Sequence, residues 1–310
     1  MTAIGTQSVE LVPPDLSIDA WERPPVGPLR LGSEAHKRLF CRTLLETYDP
    51  YKPAVIDWPR LEPEAKARLT NLPIWDIAVQ TENLAMRRVK AYADTVADPL
   101  LRKALQLNAF EEGRHRLVLG NLVEAYGVAL QPEAPYHPPP DAEWCFMVTG
   151  FSECIDSFFA FGLFEAARRS GFFPVELVDT FEPVVAEEGR HILFFVNWVA
   201  WRRRTLAWWR RPWFELKVWA VWIFLALEKM SLAGGFDAGD APAPDSNFTL
   251  TAADQIGRDI DIAGLLDICL AENDRRLGQY DPRLIRPKFV PRLVRLARRF
   301  LVKPTVPARG

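Results

Sequence analysis

The 310-residue chain has little cysteine and little histidine, four of each. Cys41, Cys145, Cys154 and Cys269 lie far apart or out of register, and no C-x-x-C occurs. That excludes a disulfide scaffold, a cysteine-rich zinc module and a rubredoxin-type iron site. It also lacks an excess of either charge: 38 basic side chains stand against 40 acidic ones, a net charge of −2, which argues against nucleic acid as a main partner. The longest apolar run, Val218 to Leu227, is closed by Lys217 and Glu228. A membrane span takes about 20 residues, so this run reads as a buried or interfacial helix. The opening MTAIGTQSVELVPPDL has neither the basic start nor the apolar core of a signal peptide, and a cytoplasmic protein is expected. No G-x-G-x-x-G, G-x-x-x-x-G-K-[ST] or G-x-S-x-G is present, so nucleotide binding and serine hydrolysis find no support.

What is present is a foldable, helix-patterned chain. Hydrophobic residues make up 49% and charged ones 25%, far from the composition of a disordered polymer. The 26 prolines collect in the first thirty residues and in QPEAPYHPPP, and a further loop covers Gly234 to Asn247. Between these breaks the apolar residues follow helical spacing, with no convincing strand alternation. Helices are expected near 33–47, 62–72, 74–95, 99–126, 142–170, 174–210, 213–232, 252–280 and 291–302, with Pro183 kinking the sixth or marking its start. The fold class is all-α: a Pro-rich segment over 1–32, a helical domain over 33–280 and a basic amphipathic tail over 281–310.

One pentapeptide occurs twice. Glu111-Glu112-Gly113-Arg114-His115 and Glu187-Glu188-Gly189-Arg190-His191 share EEGRH, and they hold two of the four histidines. Residues three apart share a helix face, so Glu112 with His115 and Glu188 with His191 each offer a carboxylate beside an imidazole. Two such helices, with one further Glu from each of two others, make the ligand set of a carboxylate-bridged di-iron or di-manganese site. Glu82 lies mid-way along the first long helix, and Glu153 lies in the apolar stretch TGFSECIDSFFAFGLF of the third. A carboxylate there is costly unless paired or metal-bound. Four such carboxylates balance the charge of two ferrous ions. Glu111 and Glu187 are placed to reach the opposite motif's histidine, with Arg114 and Arg190 neutralising them. The alternative is that EEGRH is simply a charged, solvated helix face.

With these residues in view the chain resembles the ferritin-like carboxylate-bridged di-iron superfamily. The branch is that of the ribonucleotide reductase small subunits, near their ligand-binding oxidases, the monooxygenase hydroxylases and the acyl-carrier desaturases. The likeness runs from about Ile74 to Trp201 and is carried by SECIDSFF, RRSGFFPVELVDTF and EEGRHILFF. It implies a four-helix bundle with extra helices at both ends. Glu82, Glu112 and His115 would serve one metal and Glu153, Glu188 and His191 the other, with Glu112 and Glu188 bridging. Two iron ions, or a manganese–iron pair, are implied, together with an external electron donor such as an electron-transfer protein. The position four after His115, where radical-generating members carry tyrosine, is Leu119, which argues against a radical subunit. Ser157 lies one turn after Glu153, where hydroxylases of the superfamily carry a hydroxyl group near the oxygen site, and it is the candidate catalytic side chain. A serine bonded to its own helix carbonyls is the competing reading.

The expected function is therefore O2-dependent oxidation, by hydroxylation, desaturation or N-oxygenation, of an apolar or aromatic small molecule or lipid. Phe158, Phe159, Phe161, Phe164, Phe194 and Phe195 are candidate pocket walls, although aromatics at this spacing commonly form core. Two other classes compete: a ferroxidase or iron-storage protein, and a non-catalytic helical module binding lipid or a partner. The second draws on WVAWRRRTLAWWRRPW, with five tryptophans and five arginines, and on the last thirty residues, with nine basic side chains against one acid. A basic amphipathic helix of that kind fits a membrane surface, or a helix docked on the protein with its arginines outward. A homodimer is the default assembly. His36 and His137, remote from any acid cluster, read as surface residues.

Overall fold

The structure, a computed structural model, describes residues 13–17, 21–133, 135–137, 140–233 and 262–301. Ten α-helices and no strand occur among the described residues. They are α1 (Glu34–Glu46), α2 (Pro63–Thr70), α3 (Trp75–Thr95), α4 (Pro99–Tyr126), α5 (Ala142–Ser170), α6 (Val175–Thr180), α7 (Glu182–Thr205), α8 (Arg211–Ala233), α9 (Ile262–Gly278) and α10 (Phe289–Leu301). The loop expected over Gly234–Asn247, the first part of the helix expected over 252–280, and residues 1–12 and 18–20 of the Pro-rich start lie outside the described residues.

Helices α3, α4, α7 and α5 form a closed ring of neighbours, α3 on α4 and α5, and α7 on α4 and α5. This is a helical bundle. Helix α1 crosses α4 and α7, α8 lies on α5 and α7, and α9 lies along α5. The two longest helices start on designed-looking caps. Asp98 accepts from the Leu101 amide at 2.9 Å ahead of Pro99, and Asp141 accepts from the Trp144 amide at 2.9 Å. Helix α5 is long and apolar enough to cross a membrane, but it is the central helix of the bundle and buries Phe146, Met147, Phe151, Phe158 and Phe161.

Two expectations need correction. The single helix expected over 174–210 is broken: α6 ends at Thr180, Phe181 intervenes, and Pro183 sits in the first turn of α7, where its missing amide costs nothing. A separate 3-10 turn then covers Trp208–Arg210. His36 is not a surface residue, since it is fully buried. Its Nδ1 accepts from the Gly32 amide at 3.2 Å and its Nε2 donates to Asn197 Oδ1 at 3.0 Å. Asn197 in turn bonds both backbone groups of Ile285, at 2.9 and 3.0 Å. A neutral imidazole thus stitches α1, α7 and the segment before α10 together, and burial holds its pKa below the usual histidine value. His137 is exposed. Arg283 also donates to Pro25 O at 2.7 Å, so the described parts of both end segments touch.

Close helix approach depends on two glycines of α5. A methyl group at Gly150 would meet the Phe195 ring at 2.2 Å, and one at Gly162 would meet Cys269 Sγ at 2.2 Å and its Cα at 2.8 Å. The second clash is partly with backbone, so α9 itself would have to move. Gly162→Val is expected to cost about 1–3 kcal/mol and lower the thermal midpoint followed by circular dichroism. Gly120→Ala, which meets nothing within 4 Å in α4, is expected to leave it unchanged or raise it.

Candidate metal centre

The two EEGRH copies sit mid-way along α4 and α7, and these helices bring them face to face. The imidazole rings of His115 and His191 stand 5.6 Å apart between centroids. Each motif serves the other. His115 Nε2 bonds Glu187 Oε2 at 2.9 Å, and His191 Nε2 bonds Glu111 Oε2 at 2.8 Å. Arg114 bonds the second oxygen of Glu187, and Arg190 bonds that of Glu111 at 2.7 Å. All six residues are at most 3% exposed, and their charges compensate one another within the protein. The arginines are anchored in turn: Arg114 donates to Asp49 O at 2.7 Å and Tyr51 O at 3.2 Å, and Arg190 to Leu44 O at 3.3 Å.

This arrangement fixes Nε2 of each imidazole and turns Nδ1 into the centre of the bundle. Around His115 Nδ1 lie Glu188 Oε1 at 3.1 Å, Glu82 Oε2 at 3.5 Å and Glu112 Oε2 at 3.9 Å. His191 Nδ1 lies 2.7 Å from Glu112 Oε1. Two sets of mutually close ligand atoms result: Glu82, Glu112, His115 and Glu188, and Glu112, Glu153 and His191. Glu112 belongs to both. Glu188, expected to bridge from the His191 side, is grouped with His115 across the motif. All six sequence-predicted ligand residues therefore meet in one place, on α3, α4, α5 and α7.

Ser157 also reaches the cluster, donating to Glu188 Oε2 at 3.1 Å rather than to a helix carbonyl. Asn108, one turn before Glu112 on α4, donates to Glu112 Oε1 at 3.3 Å. Tyr51, from the turn region after α1, bonds Glu187 Oε2 at 3.3 Å and lies 3.9 Å under the Arg114 guanidinium. Neither was expected. Asn108 was findable, being four residues from Glu112 on one helix face. Tyr51 has no local signal, because it comes from a loop far away in sequence.

No protein-family model, curated protein or solved structure matches this chain. The site must be read from its own chemistry.

The buried acids and bases perturb one another strongly. Burial, with the like charges of Glu112 and Glu188, pushes Glu82 up to about 8 against the pull of His115. Burial and the same two carboxylates raise Glu153 well above the carboxylate range. Burial works to lower His115, yet Glu187, Glu188 and Glu82 carry it well above its usual value. His191 rises likewise against burial, through Glu112 and Glu111. Three buried atoms of the cluster, His115 Nδ1, His191 Nδ1 and Glu153 Oε1, have no hydrogen-bond partner. A divalent cation fits such a donor set: oxygen and nitrogen ligands converge, and each imidazole is held from behind by a carboxylate.

An apolar cavity of about 230 Å³ adjoins the cluster. Glu82, Glu112, Glu153 and Glu188 form its polar end, while Trp75, Leu119, Phe161, Phe164, Phe173 and Phe181 are among its walls. Of the phenylalanines expected to line a pocket, Phe161 and Phe164 do so. Phe158, Phe194 and Phe195 are core, and Phe159 packs with Phe158.

Two predictions follow from the crossed pairs and the raised proton affinities. Glu187→Gln removes the nearer of the two acids beside Arg114 and loosens His115, and it is expected to weaken divalent-metal binding about 10–100-fold in a calorimetric titration. Metal must displace protons from Glu82, Glu153, His115 and His191, whose proton affinities are raised. Affinity for Mn(II) is therefore expected to rise from about pH 6 to about pH 8, with proton release that depends on the buffer's ionisation enthalpy.

Proposed function

We propose that this protein is an O2-dependent oxidoreductase of the ferritin-like carboxylate-bridged type, holding two iron ions, or a manganese–iron pair, and oxidising an apolar small molecule. The observation that carries the reading is the crossed symmetry of the centre. Two E-x-x-H motifs face each other, each histidine is oriented by the other motif's first glutamate, and two lone glutamates complete the set. A solvated charged face has no reason to bury these groups. Glu82, Glu112, His115 and Glu188 would hold one ion, and Glu112, Glu153 and His191 the other, with Glu112 the shared ligand. Bound iron would supply the redox chemistry for activating O2.

The chain's own residues do the rest. Glu111 and Glu187 keep each Nδ1 directed inward, and Arg114 and Arg190 hold those acids in place by ion pairs. Ser157 holds Glu188 by one oxygen, and Asn108 holds Glu112. The cavity supports substrate oxidation rather than iron storage, since it offers an aromatic-walled space beside the carboxylates. Its walls favour a hydrocarbon or aromatic group and exclude water from the reacting end. Reducing equivalents would come from a separate electron-transfer protein.

The test is anaerobic loading with Fe(II) followed by rapid mixing with O2. Wild type is expected to oxidise its iron faster than free Fe(II) in the same buffer, and Glu112→Ala to lose that reaction while keeping its helical spectrum. Iron oxidation no faster than in free solution, or a many-subunit cage accumulating ferric mineral, would contradict the proposal.

A further inference from the structure

Helix α8 carries large apolar side chains on two sides, yet only one side is covered. Phe214, Val218, Val221 and Leu225 are buried against the bundle. Round the other side, Trp213, Leu216, Trp219, Ile223, Leu227 and Met230 form a continuous exposed stripe, with Trp219 at 64% exposure. At about 1.5 Å per residue the stripe runs roughly 25 Å along the protein surface. Its charged neighbours are drawn aside into the protein: Glu215 to Arg203, Lys217 to Asp141 at 2.6 Å and Lys229 to Asp156 at 2.8 Å. Exposed Trp208 and Trp209 extend the surface at its N-terminal end.

Helix α10 continues it. The rings of Trp222 and Phe289 touch at 4.6 Å between centroids, joining the two helices. Val290 and Val294 face inward, while Phe289, Leu293, Leu296 and Phe300 are exposed. Lys288, Arg292, Arg295 and Arg299 are exposed as well. Each follows the apolar stripe at an offset of one residue, about 100° round the helix. Of these, Arg295 reaches Asp274 at 3.3 Å. Arg286, Lys288, Arg292 and Arg295 also line a surface cleft of about 420 Å³. A row of large apolar side chains beside a row of cations has the chemistry of an anionic lipid interface: acyl chains for one, phosphate headgroups for the other. A soluble acidic protein would not need the bare tryptophans, and a second copy of this chain would set arginine rows against one another.

We propose that the α8–α10 surface seats the protein on an anionic lipid bilayer, with the α8 stripe lying in the interface. Helix α8 also touches the wall of the apolar cavity, because Asp156, the partner of Lys229, lines it. The seat thus lies close to the space described above, but it does not depend on the metal reading.

The test uses the full chain, metal-free and metal-loaded, in sedimentation with extruded vesicles. Phosphatidylcholine vesicles are compared with vesicles of phosphatidylcholine and phosphatidylglycerol. Wild type is expected to bind the anionic vesicles about tenfold or more tighter, less so at high salt, with a blue shift of tryptophan emission. Trp219→Glu with Ile223→Glu is expected to abolish binding with the thermal midpoint retained, and Arg292→Gln with Arg299→Gln to remove the preference for anionic lipid. The proposal is overturned by a wild type that ignores both vesicles, or by an acidic double variant that binds as well as wild type. A lipid-free dimer that Trp219→Glu with Ile223→Glu dissociates would overturn it too, making the face a subunit contact.

Discussion

Four charged side chains that hardly meet water, Glu111, Arg114, Glu187 and Arg190, tie α4 to α7 at the middle of the bundle. Removing one partner of such a pair leaves a buried charge without compensation, at a cost of about 3–5 kcal/mol. The network is therefore hard to rearrange, and it dictates the rest of the centre. Because Glu111 and Glu187 occupy Nε2 of the two histidines, Nδ1 must turn inward. With Nδ1 inward, Glu112 comes within reach of both rings and Glu188 within reach of His115, and α3 and α5 complete the ring of helices by bringing Glu82 and Glu153. Backbone carbonyls at Leu44, Asp49 and Tyr51 then hold the arginines, which gives α1 and the turn after it a reason to pack where they do.

The same geometry separates two environments within one bundle. Behind the histidines lies a polar layer of acids and arginines joined by ion pairs. In front lies the aromatic cavity, with the carboxylates at its end. In the rear layer, against the effect of burial, His191 and Arg190 hold Glu111 below the usual carboxylate range. The acids facing the cavity, Glu82 and Glu153, are pushed by burial toward their protonated forms. A cation entering the front would exchange those protons for itself, leaving the rear layer unchanged.

Much of the centre was legible because helical periodicity converts spacing into geometry. A carboxylate and an imidazole three residues apart must share a face, and a repeated pentapeptide on two long helices invites a pair. The acid just before each motif's second glutamate points elsewhere on the helix, which is why its reach to the opposite histidine was foreseeable. What failed was whatever depends on long-range packing. His36 looked ordinary because nothing local reveals that Asn197 and Ile285 enclose it. The break at Phe181 was open between two outcomes, a kink and a new helix start, because Pro183 tolerates the first turn of a helix as readily as it kinks the middle of one. Tyr51 approaches Glu187 from a loop. Gly162 carries no signal of its own, and only the approach of α9 explains it.

The bare α8 and α10 surface shows the opposite balance, since helix amphipathicity made it visible in sequence while the fold decides which side is covered. The proposed oxidation chemistry rests on two metal ions binding among the glutamate and histidine ligands. Its most direct test is an anomalous-scattering map from crystals soaked anaerobically in Fe(II). The account predicts two peaks among α3, α4, α5 and α7, both touching Glu112, with His115 and His191 each bound through Nδ1. A single peak at the protein surface, or histidines bonded through Nδ1 to carboxylates with no metal between them, would contradict it.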